Sequence, residues 1–204
     1  MSPQADPKDY LKTVQPIAPL NPAEVVKTPI SQPSVFDQAV QSYPIIGKSG
    51  VQGVINPKEG QNMLEYYAPG EAGSADAPRP KGLQLDKPGI EIYSNKTTPL
   101  DVLGDVTSHY LIHNDPVVKN VYSNLAASIT PHQMEILKGQ YDYAMKNEGE
   151  KRPFEQWLQM SGLPAFLRGY AFKQWPDEFN EKVYTPQQKQ MLDGMMKYLS
   201  GGQK

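Results

Sequence analysis

Apolar positions along the chain fall into two regimes. From Thr98 onward they recur at helical spacing, and the helices open with one repeated device: Thr98-Pro99, Asp115-Pro116, Thr130-Pro131 and Thr185-Pro186. The Thr or Asp oxygen at the N-cap accepts an amide of the first turn, and proline at N1 gives up only a donor that has no helical partner. Gln133 and Gln188 follow Thr130 and Thr185 by three residues, which completes two capping boxes. Stops are predicted at Gly149, Gly162 and Gly201-Gly202, and a further short helix over Pro176 to Val183. Projected at 100° per residue, Leu100, Leu103, Thr107, Tyr110 and Leu111 share one face of the first of these helices, and Met191, Met195, Tyr198 and Leu199 one face of the last.

Before Thr98 the apolar pattern is interrupted too often for helices of ordinary length. Fourteen of the 20 prolines lie at or before Pro99, and each fixes φ and removes a backbone donor. Two short helices are predicted here, Pro22 to Lys27 and Ser34 to Gln41, the second because Val35, Phe36, Ala39 and Val40 approach helical spacing. The small, polar, aperiodic run from Glu71 to Pro80 is expected to be an exposed loop or linker, within about 68–82. Gly89 to Tyr93 alternates as a strand does, yet no partner strand is legible, so no sheet is expected. Tyr10, Ile17, Phe36 and Tyr43 recur between the prolines as anchors between spacers. Such a segment cannot by itself offset an ordering cost of about 1 to 2 kcal/mol per residue. The expected fold is therefore mainly α. Residues 97–204 form a small irregular helical module of about five or six short helices, and residues 1–96 a long, mostly extended, proline-rich arm.

Charge and composition narrow the function. Lys plus Arg number 20 against 22 Asp plus Glu, a formal charge of -2, which gives no bulk attraction to nucleic acid or anionic lipid. With no cysteine, disulfides, thiolate metal sites and thiol nucleophiles are excluded. Apolar runs fall far short of the roughly 20 residues needed to span a bilayer. The first residues carry no basic-then-apolar export pattern, so cytosolic synthesis is expected.

The candidate chemistry is sparse. Asp105, His109 and His113 are spaced by four along one predicted helix, so neighbouring pairs could grip a metal ion for a metal-assisted hydrolase. The same stripe lies opposite Leu100, Leu103 and Leu111, where a solvated face is the simpler expectation, and the zinc-protease glutamate after the first histidine is missing. His132, in the first turn of its helix, reads as an exposed residue, and Glu148-Gly149-Glu150-Lys151-Arg152 as a charged loop rather than a paired-carboxylate site with Asp177 and Glu178. Eight of the 19 aromatics lie between Phe154 and Tyr184. They are read either as core or as a docking surface on which Trp157, Phe166, Arg168 and Trp175 are the anchors.

The run Arg152-Pro153-Phe154-Glu155-Gln156-Trp157-Leu158, then Gly162 to Tyr170 and Gln174-Trp175-Pro176, resembles segments of uncharacterised tailed-bacteriophage proteins over roughly the last half of the chain. The resemblance implies a virion-associated protein and carries no catalytic motif. The expected function is a non-enzymatic structural or assembly protein without cofactor. Its arm clamps neighbouring protein subunits of the assembly, a homo-oligomer being one form this could take, and its location is the virion, or the cytoplasm if it is not a phage protein.

Overall fold

A computed structural model of the chain describes residues 32–58, 64–75, 78–174 and 179–202. Residues Met1–Gln32 and Pro33–Lys204 separate into two units, and the elements named here belong to the second. Tyr10, Ile17, Trp175 and the helix predicted over Pro22 to Lys27 lie outside the described residues.

Of the described residues 57% are helical, so the mainly helical class stands. Seven helices occur among the described residues. Helix α1 is Val35–Ser42 and α2 is Pro44–Ser49. Helix α3 runs over 99–114, from Pro99–Val106 through a π-helical turn at Thr107–Leu111 to Ile112–Asn114. Helix α4 is Pro116–Ala127, and α5 is Pro131–Tyr143 extended by a π turn at Ala144–Glu148. Helix α6 covers 154–171 with a π turn at Leu158–Gly162, and α7 is Pro186–Leu199. All four predicted N-caps form. Asp115 accepts the amides of Val117 and Val118, both at 3.0 Å, and the Thr130/Gln133 and Thr185/Gln188 boxes close reciprocally, as does a third between Thr98 and Asp101.

The two predicted glutamines do more than cap. Both are completely buried, and their amides face each other. Gln133 Nε2 donates to Gln188 Oε1 at 2.7 Å and Gln188 Nε2 donates back to Gln133 Oε1 at 3.1 Å. Each remaining donor reaches a carbonyl, Val183 O at 2.8 Å and Ser128 O at 3.0 Å respectively. Every amide atom thus has a partner inside the protein, the condition under which a buried polar pair is tolerated. The starts of α5 and α7 are fastened together by it.

The front of the chain departs from expectation. Residues 33–96 are not an extended arm: α1 and α2 precede a three-stranded sheet, all within the same unit as the later helices. Strands β1 (Gln52–Ile55), β2 (Leu64–Tyr67) and β3 (Gly89–Ile92) have the order β1-β3-β2, with β3 parallel to β1 and antiparallel to β2. The segment expected to stand alone is the buried central strand. Its neighbours supply the backbone partners whose absence had argued against a sheet. Alternation puts Ile90 and Ile92 in the core and Glu91 on the opposite face. Gly53 lets the Phe36 ring lie on β1, since a Cβ there would sit 2.2 Å from its carbons. Phe36 and Tyr43, expected to face a partner, are half-buried against the chain's own core.

The loop between β2 and β3 is exposed over 69–75, as predicted, yet it is no linker. Arg79 donates to the carbonyls of Ala68, Glu71, Leu83, Gln84 and Lys87, gathering it around one guanidinium. Two further expectations fail. Gly162 does not end a helix: it is helical at φ -65 inside α6. Its missing side chain serves the Trp157 indole, which a Cβ would approach to 2.7 Å. Residues 181–183 form a turn rather than the end of a helix, and 175–178 lie outside the described residues. No helix among the described residues is long and apolar enough to cross a membrane.

Candidate functional site

The aromatic-rich segment forms two groups. Phe166 stacks on Tyr184 with ring centres 4.5 Å apart and meets Phe179 edge-on at 5.3 Å, while the Tyr184 hydroxyl donates to Phe166 O at 2.6 Å. Phe166 is fully buried, so of the two readings of the aromatic segment it takes the core one and is no docking anchor. Trp157 instead joins Tyr141, at 5.5 Å, and Phe154 beside a cleft of about 680 Å³ between α5 and α6. Ile136, Gln140 and Tyr143 form one wall, and Trp157, Met160 and Pro164 the other. Glu148, Glu150, Arg152, His109 and Arg168 add polar and charged groups to the lining.

Two lining side chains are unusually open for apolar groups: Tyr143 is 61% exposed and Met160 56%. Each of the three π turns also contributes to the lining, through His109, through Ala144 and Glu148, and through Met160 and Ser161. A π turn accommodates an extra residue and rotates the succeeding side chains around the helix axis, and such turns recur at functional sites. In α6 the wide turn also accommodates Pro164, which has no amide to offer the preceding turn.

Two of the lining residues, His109 and Arg168, meet at Asp105. Far from lying on a solvated face, Asp105 is 4% exposed. Its Oδ1 accepts from Arg168 Nη1 at 3.2 Å and lies 3.6 Å from His109 Nε2, while Oδ2 is buried without a hydrogen bond. Arg168 Nε donates to Gln174 Oε1, and Gln174 Nε2 to Asp101 Oδ1 at 3.1 Å. Gln174 can turn back because Lys173 adopts φ 55 and because Gly104 leaves room, a Cβ there falling 3.1 Å from Gln174 and Phe172. Burial pushes the Asp105 carboxyl up despite its cationic neighbours, pushes His109 below the usual imidazole range despite Asp105, and lowers Arg168. Burial thus works against charge on all three. His109 stacks on Tyr66 of β2, ring centres 5.3 Å apart and 11° from parallel, and the Tyr66 hydroxyl is pushed up to about 12, chiefly by burial.

His113 is exposed. Among the described residues no group of three His, Cys, Asp or Glu side chains is placed to hold a metal ion; Asp105 and His109 meet, but the third neighbour is Arg168. His132 is exposed, as predicted, and Asp177 and Glu178 lie outside the described residues. Glu150 is gripped by Arg152, whose hydrogen bonds hold its carboxyl at about 2.

Glu91 forms a second polar cluster on the sheet. Its Oε1 takes Asn56 Nδ2 at 2.5 Å and Lys58 Nζ at 3.3 Å, and its Oε2 takes the hydroxyls of Tyr67 at 3.1 Å and Tyr93 at 2.8 Å. Although burial raises its pKa, the bonds from Asn56, Tyr93, Lys58 and Tyr67 bring it below the ordinary carboxylate value. With both oxygens engaged, this carboxylate braces the sheet face.

The arrangement defines a mainly helical protein with a small mixed sheet and an aromatic-walled cleft whose lining includes Arg168 and the exposed His109, both paired with the buried Asp105. No family model matches the chain, and no curated protein and no solved structure is similar to it. Sequence reasoning selected Trp157, Arg168, Asp105 and His109 of this site and missed Tyr143, Met160, Tyr66 and Gln174. The density of aromatics and the four-residue spacing of Asp105 and His109 pointed toward the region.

Proposed function

We propose that the chain is a non-enzymatic assembly protein, a component of a tailed-phage particle, in which residues 33–202 are the folded body and the proline-rich residues 1–31 engage a neighbouring subunit. The observation that carries this reading is the division of the chain into two units at Gln32. The second has its own core, running from Ala39 to Leu199. The first combines prolines with scattered apolar anchors, a composition suited to binding along another surface at reduced entropic cost. The exposed tyrosine and methionine of the cleft favour contact with other protein, since such side chains are enriched at interfaces.

The test is removal of residues 1–31 together with photo-crosslinking from positions 10 and 17 in assembled particles. The shortened protein is expected to keep its far-ultraviolet helical signal and to lose incorporation, and the crosslinks to reach a second polypeptide. Incorporation at normal occupancy without the segment overturns the reading. The deletion has to stop at 31, because a longer one removes Ala39, Ile46 and then strand β1 from the body.

A further inference from the structure

The sequence before the body has a period that matches its proline content. Leu11, Val14, Ile17 and Leu20 are spaced by three, with Pro16, Pro19 and Pro22 interleaved at the same interval. A polyproline II helix has three residues per turn and rises about 3.1 Å per residue, so in that conformation the four apolar residues share one face. Grooves that read such segments are lined by aromatic side chains, and the cleft between α5 and α6 has that lining in Tyr143 and Trp157, with Met160 and Pro164 opposite Ile136. Charge agrees: Lys12 is the one charged residue between Leu11 and Pro22, and in the cleft, where Arg152 is paired with Glu150 and Arg168 with Asp105, the lining also carries the exposed carboxylate of Glu148. Length agrees too, since thirty-one residues in this conformation reach up to about 96 Å, whereas a globular domain of this size is about 40 Å across.

We infer that the cleft is the socket for the Leu11 to Leu20 segment of a second copy of this chain. This rests on the reading of residues 1–31 as an interaction segment and adds the partner and its seat. The apolar face of the segment lies against Tyr143, Trp157 and Met160, and Lys12 meets Glu148. Because each copy carries one segment and one socket, the contact is heterologous and propagates from copy to copy.

The test uses the full-length chain in sedimentation velocity over a range of concentrations, with Met160→Glu as the socket variant and Ile17→Asp as the segment variant. Met160 is exposed, and circular dichroism checks both folds; Tyr143→Lys is a second socket variant. The unaltered chain is expected to self-associate, each variant alone to weaken association at least tenfold, and an equimolar mixture of the two to form a heterodimer, since one intact segment then meets one intact socket. A wild-type chain that stays monomeric at every concentration, variants that associate like the wild type, or a mixture without heterodimers overturns the inference. Crosslinks from positions 10 and 17 that reach a different protein sink this socket and leave the assembly reading standing, whereas crosslinks to no other chain sink both.

Discussion

Replacing Gln133 by Met preserves volume and helix propensity and removes only the amide. In the structure that amide takes part in four hydrogen bonds: from Thr130 N at 2.8 Å, to Val183 O at 2.8 Å, and the two reciprocal bonds with Gln188. A net loss of about 0.5 to 1.5 kcal/mol per bond is compounded by groups stranded in a dry interior, so the variant is expected to lose about 3 to 5 kcal/mol. Against a total stability of about 5 to 15 kcal/mol this is large, and at about 2 to 4 °C per kcal/mol it lowers the melting temperature by about 6 to 20 °C. Gln188→Met forfeits the same two reciprocal bonds. The double variant should therefore cost about 1 to 3 kcal/mol less than the sum of the singles. Urea denaturation at 222 nm on the four proteins measures the cycle. Single losses under about 1 kcal/mol, adding to within about 0.3 kcal/mol, would show that the two amides do not face each other and would refute this joint between α5 and α7.

Gly162→Ala forces a Cβ against the Trp157 indole and is expected to destabilise by about 1 to 3 kcal/mol with a shift in tryptophan emission. Gly194→Ala in α7, where nothing lies within 4 Å, is expected to stabilise by about 0.5 to 1 kcal/mol; equal effects in thermal melts would contradict the packing described for α6. The raised pKa of buried Asp105 means that the folded state holds this proton more tightly than the unfolded chain. Its contribution to stability is therefore full below the unfolded value near pH 4 and is lost as pH rises through the folded value. Asp105→Asn removes this loss, so its stability relative to the wild type is expected to improve as pH rises from about 4 toward neutrality; a difference that is flat or runs the other way contradicts the burial assigned to Asp105.

What could be read in the sequence was what is local. A cap needs only residues three apart, so Thr130 with Gln133, Thr185 with Gln188 and the Asp115 N-cap were all visible, and α1 was legible from Val35, Phe36, Ala39 and Val40. The sheet was not, because β1 and β3 are joined across more than thirty residues and strands of four residues leave a faint alternation. Asp105 was misjudged for the same reason. Helical projection says which residues share its face and nothing of Arg168, which returns about sixty residues later to pair with it. Gly162 reads as a stop because glycine is the commonest residue just past a helix end, and only the indole of Trp157 reveals its other use.

The π turns explain why the cleft itself left so little trace. A periodicity argument assumes that every residue advances the helix by the same 100°, and each of the three turns breaks that assumption where the chain enters the cleft. After Thr107–Leu111, Ala144–Glu148 and Leu158–Gly162, the faces computed from the residues before each turn no longer apply to those after it. Met160 is thereby free to project into the groove although Leu163 and Leu167 of the same helix are core. Wide turns of this kind are rare, and where they occur they are mostly single turns inside an α-helix. Here three separate helices each carry one where they converge on the same cavity. The three turns thus bring His109, Ala144 with Glu148, and Met160 with Ser161 to a single groove lined also by Tyr143 and Trp157.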